Sequence, residues 1–214
     1  MIRCPSCGRQ QPPRLVCDEC GAPTGAELDF FSALGLPRKL MIDANQLEAA
    51  YHDRGRRLHP DRFANSAAAM RDASLKSTAL LTRAYRNLRD PVARGIYWLG
   101  LNGEQLAKDN KIVPLELAEL VFEVHEQLSE FREASLNDTQ ARELAGVVVE
   151  RRGELQAAMD VARRDLESNF QRWDNGADSN QRLTAELKAV LSRIAYLRTL
   201  LRDVDRELES SASA

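Results

Sequence analysis

The 214-residue chain has no run of about 18 apolar residues, the length a helix needs to cross a bilayer, so no membrane partner is expected. Its first residues lack the basic-then-apolar pattern of a secretion signal, because cysteines and prolines come first. A cytoplasmic protein is the default expectation, and structural disulfides are disfavoured in that setting. The chain has no phosphate-cradling GxxxxGK[ST] loop and no nucleophile paired with a base, and its three histidines are too few for a catalytic reading. No catalytic residues are assigned, and no enzyme is expected. Beyond the first 25 residues no alternating strand pattern occurs, which leaves an all-α chain as the expectation. A hydrophobic content of 43% and a charged content of 29% are ordinary for a soluble chain of one or two domains.

The net charge of -2 conceals an asymmetry. Residues 1–101 carry 15 Lys and Arg against 10 Asp and Glu, while residues 102–214 carry 15 against 22. Two halves of opposite sign suggest surfaces for two different partners.

Residues 1–25 hold all four cysteines, as Cys4-Pro5-Ser6-Cys7-Gly8 and Cys17-Asp18-Glu19-Cys20-Gly21. Two CxxC pairs nine residues apart can close a tetrahedral four-sulfur site, for which zinc is the usual occupant and a rubredoxin-like iron the minor alternative. The glycine after each pair lets backbone amides turn toward the sulfurs. A segment this short cannot fold on an apolar core alone, so metal binding would supply its folding energy. Four thiolates leave no open position on zinc, which makes the zinc structural. The segment is read as a small zinc-ribbon-like module.

Residues 26–103 read as a compact helical unit. Leu28, Phe31 and Leu34 mark a short first helix stopped by Gly35 and Pro37. Asp43 is a good N-cap for a second helix whose apolar positions are Leu47, Ala50, Tyr51 and Leu58. Its other face carries His52, Arg54, Arg56 and Arg57. Proline disfavours the α region for the residue before it, so the helix stops at Leu58 and His59-Pro60-Asp61 stands in a tight exposed loop. A long third helix follows with Met70, Ala73, Leu80, Ala84 and Leu88 inward, and a fourth runs from Val92 to Leu101.

Residues 104–114 form a polar link, after which Pro114 can open the next helix as its first residue. Residues 115–208 should fold as an antiparallel three-helix bundle, with breaks near Asn137-Asp138 and Asp174-Asn175-Gly176 and a disordered tail at 209–214. Leu183, Leu187, Val190, Ile194, Leu197, Leu201, Val204 and Leu208 make a heptad seam on the last helix, which could hide a homodimer. The first helix of the bundle carries Glu116, Glu119, Glu123, Glu126, Glu130 and Glu133 along one side. The stripe is either a solvated face or a docking surface for a basic partner. Phe122 lies beside it, off the apolar face made by Leu117, Leu120, Val121, Val124, Leu128 and Phe131, and is a plausible anchor.

The second segment resembles a known family. Tyr51, Arg54, Leu58, His59-Pro60-Asp61, Ala84-Tyr85 and Leu88 are similar to the J domain of co-chaperones of the 70-kDa heat-shock chaperones. Three blocks narrow the resemblance to the iron–sulfur assembly co-chaperones of the HscB family: Phe30 to Pro37, His59 to Ala64, and Ala84 to Gly103. The resemblance implies a J-domain hairpin followed by the three-helix bundle. It implies that His59, Pro60 and Asp61, with the basic residues Arg54, Arg56 and Arg57, stimulate a chaperone ATPase of the DnaK or HscA type. It implies further that the bundle binds the iron–sulfur scaffold protein and delivers it, with Phe122, Glu123, Glu126, Glu130 and Tyr196 at the matching positions. In a eukaryote the family would place the chain in the mitochondrial matrix, although no transit peptide is present. The apolar Phe-Leu-Met run that usually opens the scaffold-binding helix is here Leu117-Ala118-Glu119, so two apolar contacts of the family pattern are missing.

Three other functions compete, of which a metal-dependent enzyme is disfavoured by a closed four-thiolate site. A general J-domain co-chaperone for unfolded clients is disfavoured by a helical bundle standing where a β-rich client-binding region would be. A zinc-ribbon nucleic-acid binder would use the basic half as its footprint, but the module has only Arg3, Arg9 and Arg14 as cations and no aromatics to stack bases, so no nucleic acid is expected. The module could position the J domain, support self-association, or sense metal and redox state.

Overall fold

The computed structural model describes residues 1–106, 113–133, 138–176 and 178–212, with the side chains of 132–142 and 211–212 outside the description. The chain divides into two compact units, Met1–Leu101 and Asn102–Ala214. The cysteine module is thus part of the first unit and packs with the helices that follow it.

In the first unit, β1 (Ile2–Arg3) and β2 (Gln10–Gln11) form a two-stranded antiparallel ribbon. Four helices follow: α1 (Phe30–Leu34), α2 (Ala44–Leu58), α3 (Ala68–Arg89) and α4 (Pro91–Leu101). Asp29 and Asp43 cap the first two, accepting hydrogen bonds from the Ser32 amide at 3.0 Å and the Gln46 amide at 2.7 Å. Such a cap satisfies an amide that the first helical turn leaves unpaired. All five residues expected inward on α3 are buried, and α2 and α3 pack side by side with Tyr51 stacked on Tyr85, ring centroids 4.3 Å apart. Phe31 meets Trp98 edge-on, and the Phe30 amide donates to the Tyr97 hydroxyl at 2.9 Å, which closes α1 onto α4.

Sequence periodicity says nothing of a buried cation, yet Arg94 is one. It is only 7% exposed, donates from Nε to the Leu88 carbonyl at 2.8 Å, and donates from a terminal nitrogen to the Leu40 carbonyl at 2.6 Å. One guanidinium therefore caps the end of α3 and pins the loop before α2. Arg94→Ala is expected to lower the stability of this unit by about 3 kcal/mol, because two hydrogen bonds from a buried charged group to the Leu88 and Leu40 carbonyls are lost. Urea unfolding of the purified variant checks this.

In the second unit a 3₁₀ turn (Leu115–Leu117) leads into α5 (Ala118–Glu133), followed by α6 (Asp138–Asp174) and α7 (Asn180–Ala212). Pro114 stands just before the turn instead of inside the first helical position. The expected polar link falls largely on residues 107–112, outside those described. The tail expected to be disordered from 209 is still helical through Ala212. Much of the seam on α7 is spent inside the chain. Leu183, Leu187, Ile194, Leu197 and Val204 are buried in the bundle, and Val190, Leu201 and Leu208 are half-buried. Against it lie Val148, Leu155, Met159, Ala162, Leu166 and Phe170 of α6 and Leu117, Val121, Val124, Leu128 and Phe131 at the start and along the length of α5.

Ion pairs finish the bundle. Arg193 of α7 pairs with Asp165 of α6 and, at 3.1 Å, with Glu116, so one side chain joins all three helical layers. Arg172 bridges Asp178 and Glu186 across the α6–α7 turn and holds both carboxyls below their usual range. A depressed carboxyl stabilises the fold at neutral pH, and that contribution fades as acid protonates the pair. Among the described residues, no helix is long and apolar enough to cross a membrane.

Candidate functional site

The His-Pro-Asp loop is built from the end of α2. His59 sits at φ −54°, ψ 128°, which breaks the helix after Leu58, and Pro60–Phe63 forms a single 3₁₀ turn. Within the turn the Asp61 amide donates to His59 Nδ1 at 3.3 Å, and the Arg62 amide donates to the His59 carbonyl at 3.1 Å. The His59 and Asp61 side chains are 58% and 90% exposed and lie 3.5 Å apart. The loop is thus held by its own backbone while its functional groups face outward.

Its base is held by residues that hydropathy did not single out. The helix stops at Leu58 and the Arg62 amide turns to the His59 carbonyl, so the Leu58 carbonyl loses its helical partner. Ser74 Oγ donates to it at 2.7 Å and Thr78 Oγ1 at 3.1 Å, both from the facing turn of α3. Ser74 is fully buried. Hydroxyls spaced four apart on an otherwise apolar helix face, opposite an X-Pro break, were the signal available in the sequence.

The basic face of α2 is less uniform than its sequence suggests. His52, Arg56 and Arg57 are exposed, with Asp53 among them at 3.7 Å from Arg56 and 3.8 Å from Arg57. Arg54 differs: it is half-buried, in phase with Leu47, Tyr51 and Leu58 instead of opposite them. Burial lowers the pKa of its guanidinium. Its side chain closes on Gly35 and enters a 790 Å³ cleft bounded by α1, α2 and the cysteine module. Arg57 and Arg14 line the same cleft, with Asp18 and Glu19. The outward basic surface beside the loop is therefore made by Arg56 and Arg57, joined by Arg62, which donates to the Arg56 carbonyl at 3.3 Å.

The four cysteines come together. Their sulfurs all lie within 4.8 Å of one another, with Cys4 and Cys20 at 3.6 Å and Cys7 and Cys17 at 3.8 Å. A tetrahedral ion with metal–sulfur bonds of about 2.3 Å needs sulfurs about 3.8 Å apart, so the residues fit a bound metal. The two knuckles repeat one pattern. Gly8 N donates to the Cys4 carbonyl and Gly21 N to the Cys17 carbonyl, both at 3.0 Å, with φ near +70° at each glycine. Other side chains strain at that φ. Gln11 joins the knuckles, its Oε1 accepting from the Asp18 amide at 3.2 Å. Without metal, the Ala22 amide holds the Cys20 thiol down to about 6, against burial, with the other sulfurs helping. The Arg9 amide pulls the Cys7 thiol the same way, but burial and its sulfur neighbours push it up to about 11. Each thiol must shed its proton to bind a cation, so metal affinity should fall as pH is lowered. We expect one metal ion per chain at neutral pH, lost on acidification, with four thiols reactive once the metal-free protein is returned to neutral pH; elemental analysis beside a thiol titration checks this.

On α5 the acidic stripe separates into engaged and free carboxylates. Glu116 is paired with Arg193, and Glu123 lies 3.1 Å from Arg151 of α6. Glu119, Glu126 and Glu130 are exposed and have no ion pair among the described residues, while the Glu133 side chain lies outside the description. Phe122 is 67% exposed beside them. Tyr196 is half-buried on α7, one helical turn past Arg193.

No family model matches the chain. It is 34% identical over 133 residues to the co-chaperone protein HscB homolog of Chromobacterium violaceum, a match covering 61% of this chain and 76% of that protein. It is 31% identical over 142 residues to the iron–sulfur cluster co-chaperone protein HscB homolog of Arabidopsis thaliana, covering 65% of this chain and 56% of that longer protein. Among solved structures, human co-chaperone protein HscB superposes with a TM-score of 0.62 at 22% identity over 95% of this chain and 96% of its own. The chaperone HscB from Vibrio cholerae gives 0.59 at 22% identity over 84% of this chain and 96% of its own.

Proposed function

The chain belongs to the family of HscB co-chaperones, and from that premise we propose that it accelerates ATP hydrolysis by a 70-kDa heat-shock-type chaperone and brings to it the scaffold protein on which iron–sulfur clusters are assembled. The observation that carries the reading is the outward-facing His59-Pro60-Asp61 turn, held from beneath by Ser74 and Thr78 and flanked by exposed Arg56 and Arg57. The arginines steer the loop toward an acidic surface of the ATPase. The loop then favours hydrolysis by binding one conformation of the ATPase better than the other. Arg54 serves the same face from within, by fixing α2 against the cleft.

The second unit carries the scaffold. Phe122 supplies an apolar anchor and Glu126 and Glu130 supply charge, with Tyr196 on the neighbouring helix. Glu123 contributes indirectly, because Arg151 already engages it. Tethering the scaffold next to the chaperone raises its effective concentration, so modest affinity at each end suffices. The tetracysteine module holds structural zinc, for which four sulfurs in a closed set are suited.

Single-turnover ATP hydrolysis by the partner chaperone tests the reading. Adding this protein should accelerate hydrolysis, and adding the scaffold as well should lower the concentration of co-chaperone needed for half-maximal effect. No acceleration by the metal-loaded protein would overturn the assignment.

A further inference from the structure

The cysteine module rests on the segment that carries the His-Pro-Asp loop. Cys4 and Cys17 are buried while Cys7 and Cys20 are exposed, so two metal ligands face inward. With Ala22 they form one buried cluster with Met70, and Phe63 packs against it. Phe63 ends the 3₁₀ turn two residues after Asp61, and Met70 lies in the first turn of α3. The connection between the loop and α3 is therefore held at both ends by the metal ligands. That support stands where a cap is missing, because Ala67, the residue before α3, makes no side-chain cap hydrogen bond.

A second tie runs through α3. The Gly25 amide donates to Ser77 Oγ at 3.2 Å, and Ser77 is fully buried. Gly25 has φ +69°, and a Cβ there would stand 3.2 Å from the Ala73 Cα, so the two backbones meet where only glycine fits. Ser77 is next to Thr78 and one turn from Ser74, the pair that holds the Leu58 carbonyl. One stretch of α3, residues 73–78, thus grips the module and the base of the loop together.

We propose that the metal-bound module is a brace for the His-Pro-Asp turn, with Phe63, Met70 and Ser77 as the positioning residues that link metal occupancy to loop geometry. A module whose folding depends on metal loses its shape when the metal leaves. Phe63 and Met70 then lose their apolar cover, and the turn keeps short-range bonds: the Asp61 amide to His59 Nδ1, Arg62 N to the His59 carbonyl, Ala64 N to the Asp61 carbonyl and Ser66 N to the Phe63 carbonyl, with the Arg62 and Arg71 side chains on the Arg56 and Ser66 carbonyls. A segment with few buried contacts opens locally well before the whole unit unfolds.

Amide hydrogen exchange on the full chain tests the brace without reference to any partner. Two samples are compared with the metal-loaded protein: the same protein stripped by a chelator, and metal-loaded Ala22→Asp, which places a charge in the contact from the module side and leaves the four cysteines in place. In both, exchange at residues 61–66 should rise about tenfold while α4 keeps its protection, and zinc restored to the stripped protein should reverse the change. Unchanged exchange in the stripped protein overturns the proposal. So does a rise in the stripped protein that metal-loaded Ala22→Asp does not share, or a uniform rise across α2 to α4. The consequence for ATPase stimulation rests on the proposed function: the half-saturating concentration should rise with the maximum unchanged. If exchange shifts as stated and no stimulation is ever seen, the brace stands and the co-chaperone reading falls.

Discussion

His59→Gln is expected to lower stimulation of the partner ATPase by about a hundredfold while the chain remains folded. The loss is that of a binding hot spot, in which one exposed, well-placed side chain carries several kcal/mol of partner contact. The fold should survive because His59 makes a single side-chain bond, accepting from the Asp61 amide, and it is 58% exposed. The glutamine carbonyl can accept the same bond. The glutamine chain cannot reproduce the flat ring or present a second ring nitrogen outward. Pro60 and the Leu58 anchor at Ser74 and Thr78 are untouched, so the turn stays in place. Single-turnover hydrolysis with the variant, beside a thermal melt, separates loss of contact from loss of fold. Normal stimulation by a folded His59→Gln protein would remove the loop from the mechanism.

The double variant Ser74→Ala, Thr78→Ala approaches the same loop from below. It changes one buried and one half-buried group and leaves the Leu58 carbonyl without either hydroxyl. Stimulation should fall by about tenfold, the order of one lost hydrogen bond's effect on a positioned group. The metal-loaded protein should otherwise keep its helix content by circular dichroism.

Much of this architecture is legible in the sequence where a residue's chemistry dictates its local geometry. The X-Pro step ends α2 at Leu58, Asp43 caps it, and the period of apolar residues on α3 and α7 marks the faces that are buried. The paired CxxC spacing brings four sulfurs within 4.8 Å. What periodicity cannot show is a polar group used inside a core. Arg94, Ser74 and Ser77 look like surface residues by type, yet each is buried and bonded to a backbone atom. Arg54 misleads in the same way. Its charge groups it with the other arginines, although its helical phase matches Leu47, Tyr51 and Leu58, and the structure follows the phase. The heptad seam on α7 carries no information about whether it packs on another helix of the same chain or on a second copy; five of its eight residues are buried within the bundle. Nor does spacing show which stripe carboxylates are already paired. Arg151 and Arg193 are contributed by other helices, 28 and 77 residues away from Glu123 and Glu116 respectively.

That last distinction sets the second large effect. Phe122→Ala should weaken binding of the scaffold protein by about a hundredfold, since an exposed aromatic at the centre of a contact loses its whole apolar area on truncation. Glu126→Lys should weaken it by about tenfold, because Glu126 is exposed and has no ion-pair partner among the described residues. The two losses differ in origin and so in salt dependence. Charge reversal should matter less as salt rises, because exposed charges are screened, whereas the Phe122 loss should persist. Glu123→Lys is a poorer probe, for it also breaks the bond to Arg151 and places two cations together at the α5–α6 contact. Isothermal calorimetry against the scaffold at low and high salt measures all three, and ATPase stimulation in the absence of scaffold should be unaffected by any of them. Phe122→Ala binding as tightly as the parent would return the stripe to an ordinary solvated helix face. A Glu126→Lys loss that did not shrink with salt would show that the carboxylate is buried in the complex, paired with a cation of the scaffold instead of merely facing it.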